Sequence, residues 1–143
     1  MSGVVVDASA VLAFCFEDER PADADATLDR WSREGALAPA HWPLEVTNIL
    51  ALAERRGRIS TAETLRFVEL VQALGVDVDA ETARRAWGAI RDLAMAEGLT
   101  TYDAAYLELA LRKGAALASK DAVLLAAARR RGAEVIDLEV RRA

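Results

Sequence analysis

The chain has 143 residues, 53% hydrophobic and 29% charged, a balance that suits one globular domain and excludes a disordered chain. Its single cysteine, Cys15, excludes an internal disulfide and any cysteine-built zinc cluster. The net charge of -5 disfavours broad attraction to nucleic acid, although a bound cation inverts the local charge of an acidic site.

Val4-Val5-Val6 is a continuous β-branched run, the pattern of a strand buried on both faces. It begins too early, and without a basic stretch or long apolar core, to be read as a targeting segment. No apolar run approaches the ~20 residues that span a bilayer, so the expectation is a cytoplasmic protein with no membrane segment. A helix follows Asp7 and leads into the apolar run Val11–Phe16, where Cys15 reads as a small buried hydrophobe. Glu17–Pro21 reads as a solvated turn before a second helix through the twenties and early thirties. Ala36-Leu37-Ala38 is a short strand, and a helix starts at Pro43 whose Val46, Ile49 and Leu50 suit either a core or an interface. Gly57-Arg58-Ile59-Ser60 forms a hairpin-like joint, and Ser60-Thr61-Ala62-Glu63 is a capping box that opens the next helix. Leu65, Val68, Val71 and Leu74 repeat along it at helical spacing. Val76-Asp77-Val78 is a further strand, followed by a helix from Glu81 past Trp87 and Ile90. Helices opening near Tyr102 and Asp121 bracket the strand Ala116-Leu117-Ala118, and Glu134-Val135-Ile136 is a last strand. This alternation predicts a three-layer α/β/α fold around a central, mainly parallel, twisted sheet. Without repeat, linker or low-complexity segment, residues 1–143 read as one domain.

Four acids, Asp7, Glu45, Asp103 and Asp121, stand where a strand or loop turns into a helix. Each has a capping explanation. Asp7 and Asp121 suit N-caps, Glu45 falls in a first turn after Pro43, and Thr100 with Asp103 fits a weak capping box. In an open α/β sheet, however, such turns lie along the edge at the carboxyl ends of the strands, where ligands bind. Carboxylates gathered there repel one another unless a cation neutralises them, and hard oxygen donors suit Mg²⁺ or Mn²⁺.

The run Val5-Val6-Asp7-Ala8-Ser9-Ala10 resembles the opening motif of the PIN domains. Pro39 to Asn48, centred on Glu45, is similar to their second motif, and Thr101-Tyr102-Asp103-Ala104-Ala105-Tyr106-Leu107 to their third. Ala118-Ser119-Lys120-Asp121-Ala122-Val123-Leu124 resembles the fourth. Order and spacing fit along the whole chain, and within the superfamily the details are most similar to the VapC toxins of VapBC toxin–antitoxin modules.

That resemblance implies a PIN-like fold and metal-dependent endonucleolytic cleavage of RNA, with tRNA or rRNA as usual targets. Phosphodiester hydrolysis needs an attacking water, charge stabilisation on the phosphoryl oxygens and help for the leaving oxygen, all of which divalent ions supply. By resemblance, Asp7 and Asp103 are the principal ligands of Mg²⁺ or Mn²⁺, and Asp121 and Glu45 complete the set. Ser9 either supports a carboxylate or a metal-bound water, or bonds to the nearby backbone. The family also implies a homodimer and a cognate VapB-like antitoxin.

Other residues fit less well. His41, the single histidine, has no Gly-x-Ser-x-Gly elbow to serve. Asn48 shares a helix face with Glu45 and reads as its orienting partner or as an ordinary polar residue. Arg112-Lys113 and Arg129-Arg130-Arg131 precede glycines, the pattern of helix C-termini, and are expected at the edge opposite the acids. Arg55, Arg56 and Arg58 at the hairpin tip better suit RNA or partner contact. Trp31, Trp42 and Trp87 read as core or interface anchors, and Tyr102 and Tyr106 share a face that can line a cleft. The competing functions are a PIN-fold binding module without turnover, a phosphatase and a phospho-receiver. A phosphatase of the Asp-x-Asp type lacks its second acid, since Ser9 stands there. For a receiver, Asp79 is a candidate phosphoacceptor, but the acid pair near Asp7 is missing.

Overall fold

The computed structural model describes residues 3–16 and 24–139. β1 (Val4–Val6) leads through Asp7 into α1 (Ala8–Leu12), and α2 (Ala24–Glu34) precedes β2 (Ala36–Ala38). α3 (Trp42–Arg55) and α4 (Thr61–Ala73) form a helical hairpin before β3 (Asp77–Val78). α5 (Thr82–Arg85), a π-helical turn (Ala86–Ile90) and α6 (Arg91–Glu97) follow without a break. α7 (Thr101–Lys113), β4 (Ala116–Ser119), α8 (Ala122–Arg130) and β5 (Val135–Asp137) complete the chain.

The strands form one sheet in the order β3-β2-β1-β4-β5, with every pairing parallel. Val4, Val5 and Val6 are all fully buried although successive side chains point to opposite faces, so helices cover the sheet on both sides. The three-layer α/β/α architecture expected from the sequence is thus present. The small residues of β2 and β4 let those layers approach closely, and Leu107, Leu109, Leu117 and Leu124 fill the core around them.

The chain order reverses between β1 and β4: β2 and β3 extend to one side of β1, and β5 lies beyond β4. Loops on the two sides of such a reversal diverge and leave a crevice at the carboxyl ends of the strands. Asp7 and Asp121 both lie there, directly after β1 and two residues past β4.

Several local expectations need adjustment. α4 forms behind the Ser60–Glu63 capping box, but Phe67 and Val71 are its buried residues while Leu65 and Leu74 are exposed. The helix expected from Glu81 contains a π-helical turn, whose wider winding shifts the inward stripe to Ile90. Trp87 is accordingly 85% exposed and no part of the core, whereas Trp31 and Trp42 are buried. In the helix from Pro43, Val46 and Leu50 face the core and Ile49 is exposed. Cys15 packs half-buried against the core, and burial pushes its thiol pKa up, as suits an inert thiol. The turn expected at Glu17–Pro21 lies outside the described residues.

Candidate active site

The four acids lie at helix starts, Asp7 and Asp121 as N-caps and Glu45 and Asp103 in first turns. Asp7 is the N-cap of α1, and its Oδ1 accepts from the backbone N–H of Ala10 at 2.8 Å. Asp121 caps α8 through Oδ1, accepting from the N–H groups of Val123 at 2.9 Å and Leu124 at 3.3 Å. Asp103 lies in the first turn of α7, and its own N–H donates to the Thr100 hydroxyl at 3.1 Å. Glu45 lies in the first turn of α3, just past Pro43.

Their mutual influence shows that they share one field. Burial raises the Asp7 carboxyl from 3.8 to about 6, opposed by hydrogen bonds from Ser119, Ser9 and Ala10 and reinforced by the Glu45 charge. Asp103 is also raised, first by burial, then by the charges of Asp121 and Glu45, with His41 opposing. The buried phenol of Tyr106 is pushed far above its ordinary range by burial and by the neighbouring charges of Glu45, Asp7 and Asp103. One tyrosine thus senses three of the four acids, and Asp103 couples to the fourth.

Asp7 is held from two directions. Ser9 Oγ donates to Oδ1 at 2.7 Å, and Ser119 Oγ donates to Oδ2 in a very short contact. The loop after β4 supports both hydroxyls, since the Lys120 N–H donates to Ser9 Oγ at 3.3 Å and the Asp121 N–H to Ser119 Oγ at 2.9 Å. Of the two uses foreseen for Ser9, contact with a carboxylate is present. Ser119 joins the site although its residue type alone does not point to it. The available signal was its place two residues before Asp121, mirroring Ser9 two residues after Asp7.

His41 contributes more than its isolation in the sequence suggests. Its Nε2 lies 2.7 Å from Glu45 Oε1, and its ring packs against Tyr106 at 5.2 Å and Tyr102 at 5.7 Å between centroids. The Tyr106 hydroxyl is buried at this cluster without a well-formed hydrogen bond. Asn48 is exposed and makes no hydrogen bond to Glu45, so it does not orient that acid.

A hard divalent cation suits this donor set. Its oxygens are carboxylates, burial and like charge disfavour the ionised forms of Asp7 and Asp103, and no thiolate competes. Among the described residues, no group of three or more His, Cys, Asp or Glu stands close enough together to hold a metal ion.

The remaining candidates are used elsewhere. Arg112 pairs with Asp79 at 2.6 Å, Glu108 at 2.9 Å and Glu81 at 3.4 Å, so this cluster is not confined to the far edge. Asp79 is correspondingly held below the usual carboxylate range: burial opposes ionisation, but Arg112 outweighs it. Arg130 and Arg131 both pair with Glu97, at 2.8 and 2.6 Å. The Arg58 guanidinium lies 4.3 Å from the Phe16 ring centroid, while Arg55 and Arg56 are exposed at the hairpin tip. Among the described residues, no helix is long and apolar enough to cross a membrane.

A family model for the PIN domain matches residues 4–130. The chain belongs to the PIN domain family. A relative from Pyrobaculum aerophilum, Ribonuclease VapC3, is 34% identical over 122 residues, 82% of this PIN domain chain and 88% of that protein. The crystal structure of PAE2754 from Pyrobaculum aerophilum superposes with a TM-score of 0.72 at 27% identity, covering 95% of this chain and 89% of the other. FitAcB from Neisseria gonorrhoeae matches at a TM-score of 0.63 and 16% identity over 94% of this chain and 97% of its own. At that identity it supports the PIN domain fold alone.

Proposed function

We propose that this PIN domain is a divalent-metal-dependent endoribonuclease, the toxin of a type II toxin–antitoxin module. What supports this reading is the place of Asp7 and Asp121 beside the reversal of strand order, with the charge of Glu45 raising Asp7 and the charges of Asp121 and Glu45 raising Asp103. The relative Ribonuclease VapC3 supports ribonuclease chemistry over other uses of such a site. The whole chain, 1–143, acts as one domain in this reading.

Asp7, Asp103, Asp121 and Glu45 would hold Mg²⁺ or Mn²⁺, which when bound polarises the phosphoryl oxygens and activates water. The protein groups fix the geometry. Ser9 and Ser119 orient the Asp7 carboxylate, and the helix that each acid opens limits its movement. The His41 ring lies between Glu45, 2.7 Å from its Nε2, and the Tyr106 ring. With a net charge of -5, the chain relies on the cation, and not on a basic surface, to attract a phosphate. The RNA is of the tRNA or rRNA class, the active form is a cytoplasmic homodimer, and a VapB-like antitoxin restrains it. The exposed Arg55 and Arg56 are candidate contacts for RNA or antitoxin.

The test is cleavage of total RNA by antitoxin-free protein with Mg²⁺, Mn²⁺ or EDTA, beside Asp7→Ala and Asp103→Ala. The expected result is a few discrete products that require metal and disappear in both folded variants. Full cleavage by both variants would sink the assignment. No cleavage by the folded wild type would leave a PIN-fold binding module as the better reading.

A further inference from the structure

Beside the carboxylates lies a recess of about 220 Å³, walled by the rings of His41 and Tyr102 and lined by Ala40, Ala83, Ala86 and Ile90. Its volume falls below the roughly 300–1,000 Å³ typical of drug-sized ligand sites, so it suits a single flat ring. We propose that this recess seats one unstacked base of the RNA, next to the phosphate held at the carboxylate edge. The inference rests on the ribonuclease reading above and adds a binding subsite to it.

Continuity with the acids is the first argument. The His41 ring is a wall of the recess, and its Nε2 touches Glu45 Oε1 at 2.7 Å. Tyr102 lies next to Asp103 in the first turn of α7. An RNA strand whose phosphate lies against these acids therefore places a neighbouring base at the mouth of the recess.

The lining is the second argument. Tyr102 is 65% exposed, although it opens a helix that is otherwise largely buried, and its ring lies tilted at 53° to that of His41. Aromatic side chains presented in this way are platforms on which single-stranded bases stack. The alanines leave the space open, and the π-helical turn supplies Ala86 and Ile90 to it. Such turns are rare and occur often at functional sites. The Thr82 hydroxyl is already committed, accepting from the Ala40 N–H at 3.0 Å and donating to Asp79 Oδ2 at 3.1 Å. Recognition therefore comes mainly from stacking and shape, which tolerates more than one base.

The experiment titrates a fluorescently labelled single-stranded RNA oligonucleotide, in Ca²⁺ and checked intact afterwards, into full-length protein. The proteins are wild type, Tyr102→Ala, Tyr102→Trp and Ala86→Leu, with thermal melting of each as a check on folding. Tyr102→Ala and Ala86→Leu should each weaken binding about tenfold, the first by removing the platform and the second by filling the space. Tyr102→Trp should bind at least as well as wild type, which separates stacking from any effect on folding. Scanning one abasic nucleotide along the RNA should reveal a position whose loss weakens wild type but not Tyr102→Ala. If wild type binds RNA while Tyr102→Ala and Ala86→Leu bind equally well, the base site is overturned and the ribonuclease reading stands. Equal effects of every abasic position on wild type and Tyr102→Ala also overturn it. If folded wild type neither binds nor cuts RNA, both readings fall together.

Discussion

Ser119, the last residue of β4, donates its hydroxyl to Oδ2 of Asp7, the residue that follows β1. The two strands that flank the reversal of chain order are thereby joined through the acid at the centre of the candidate site. Ser119 is fully buried, and its oxygen also accepts from the Asp121 N–H, so one hydroxyl positions parts of two of the four acids.

Ser119→Ala should therefore weaken divalent-ion binding about 10- to 100-fold, the range seen when a ligand's supporting partner is removed. Titration of Mn²⁺ against thermal stability checks this. An unchanged Mn²⁺ midpoint in a folded variant would mean that the hydroxyl supports the fold but not the ion.

Burial of Asp7 gives the metal-free protein a pH dependence of definite sign. Its carboxyl titrates at about 6 when folded against an ordinary 3.8, so between those values the folded state holds more proton than the unfolded one. The destabilisation is absent below the ordinary value, develops as pH rises through that window and is complete above about 6. Asp7→Asn should then be more stable than wild type at neutral pH in EDTA, by at most about 3 kcal/mol. The difference should vanish in acid. Urea unfolding at several pH values tests it, and a destabilised Asp7→Asn at neutral pH would contradict it.

Adding Mg²⁺ or Mn²⁺ should reverse that ranking. A ligand present at 1,000 times its dissociation constant stabilises by about 4.1 kcal/mol, more than the advantage of Asp7→Asn in EDTA, and only a protein with the site intact gains it. Wild type should melt at higher temperature with metal, whereas Asp7→Asn and Asp103→Asn should shift little.

Arg112 sits in a mostly buried ion network with Asp79 and Glu108, their side chains 14, 8 and 9% exposed. Removing the cation leaves Asp79 without its ion pair, while Arg85 still reaches Glu108 at 3.2 Å, so Arg112→Ala should cost about 3 kcal/mol. Cleavage per folded molecule should be unaffected. A loss of activity without a loss of stability would instead assign Arg112 to the RNA surface.

Ser60→Ala offers a local control. The Ser60 hydroxyl accepts from the Glu63 N–H at 3.1 Å, and Glu63 accepts from the Ser60 N–H at 3.0 Å. Loss of the serine half should cost about 1 kcal/mol in urea unfolding, with cleavage unchanged.

Much of this could be read from residue order because it depends on local chemistry. Val4-Val5-Val6 must be buried on both faces, which calls for a parallel sheet between helices. Asp7 and Asp121 stand at helix starts because a short acid side chain there meets free N–H groups, and Asp103 falls in the first turn of the helix that Thr100 caps, requirements visible within three residues. α1 and α8 open after parallel strands and α7 leads into one, which directs all three helix starts to a single edge, and the motif resemblance agrees with that reading.

Tertiary structure alone decided what depends on residues far apart in the chain. The Ser119–Asp7 hydrogen bond spans 112 positions, and Arg112 finds Asp79 across 33. No local rule selects such partners, because the register of β1 against β4 and the approach of α7 to the loop after β3 choose them. The His41 ring reaches both Glu45 and Tyr106 only once α3 and α7 open at the same edge. The outward turn of Trp87 follows from one wide helical turn, a change of phase that apolar spacing does not register. Local hydrogen-bond demand set where each acid stands in the chain; packing between distant elements set which groups surround it, and so its charge.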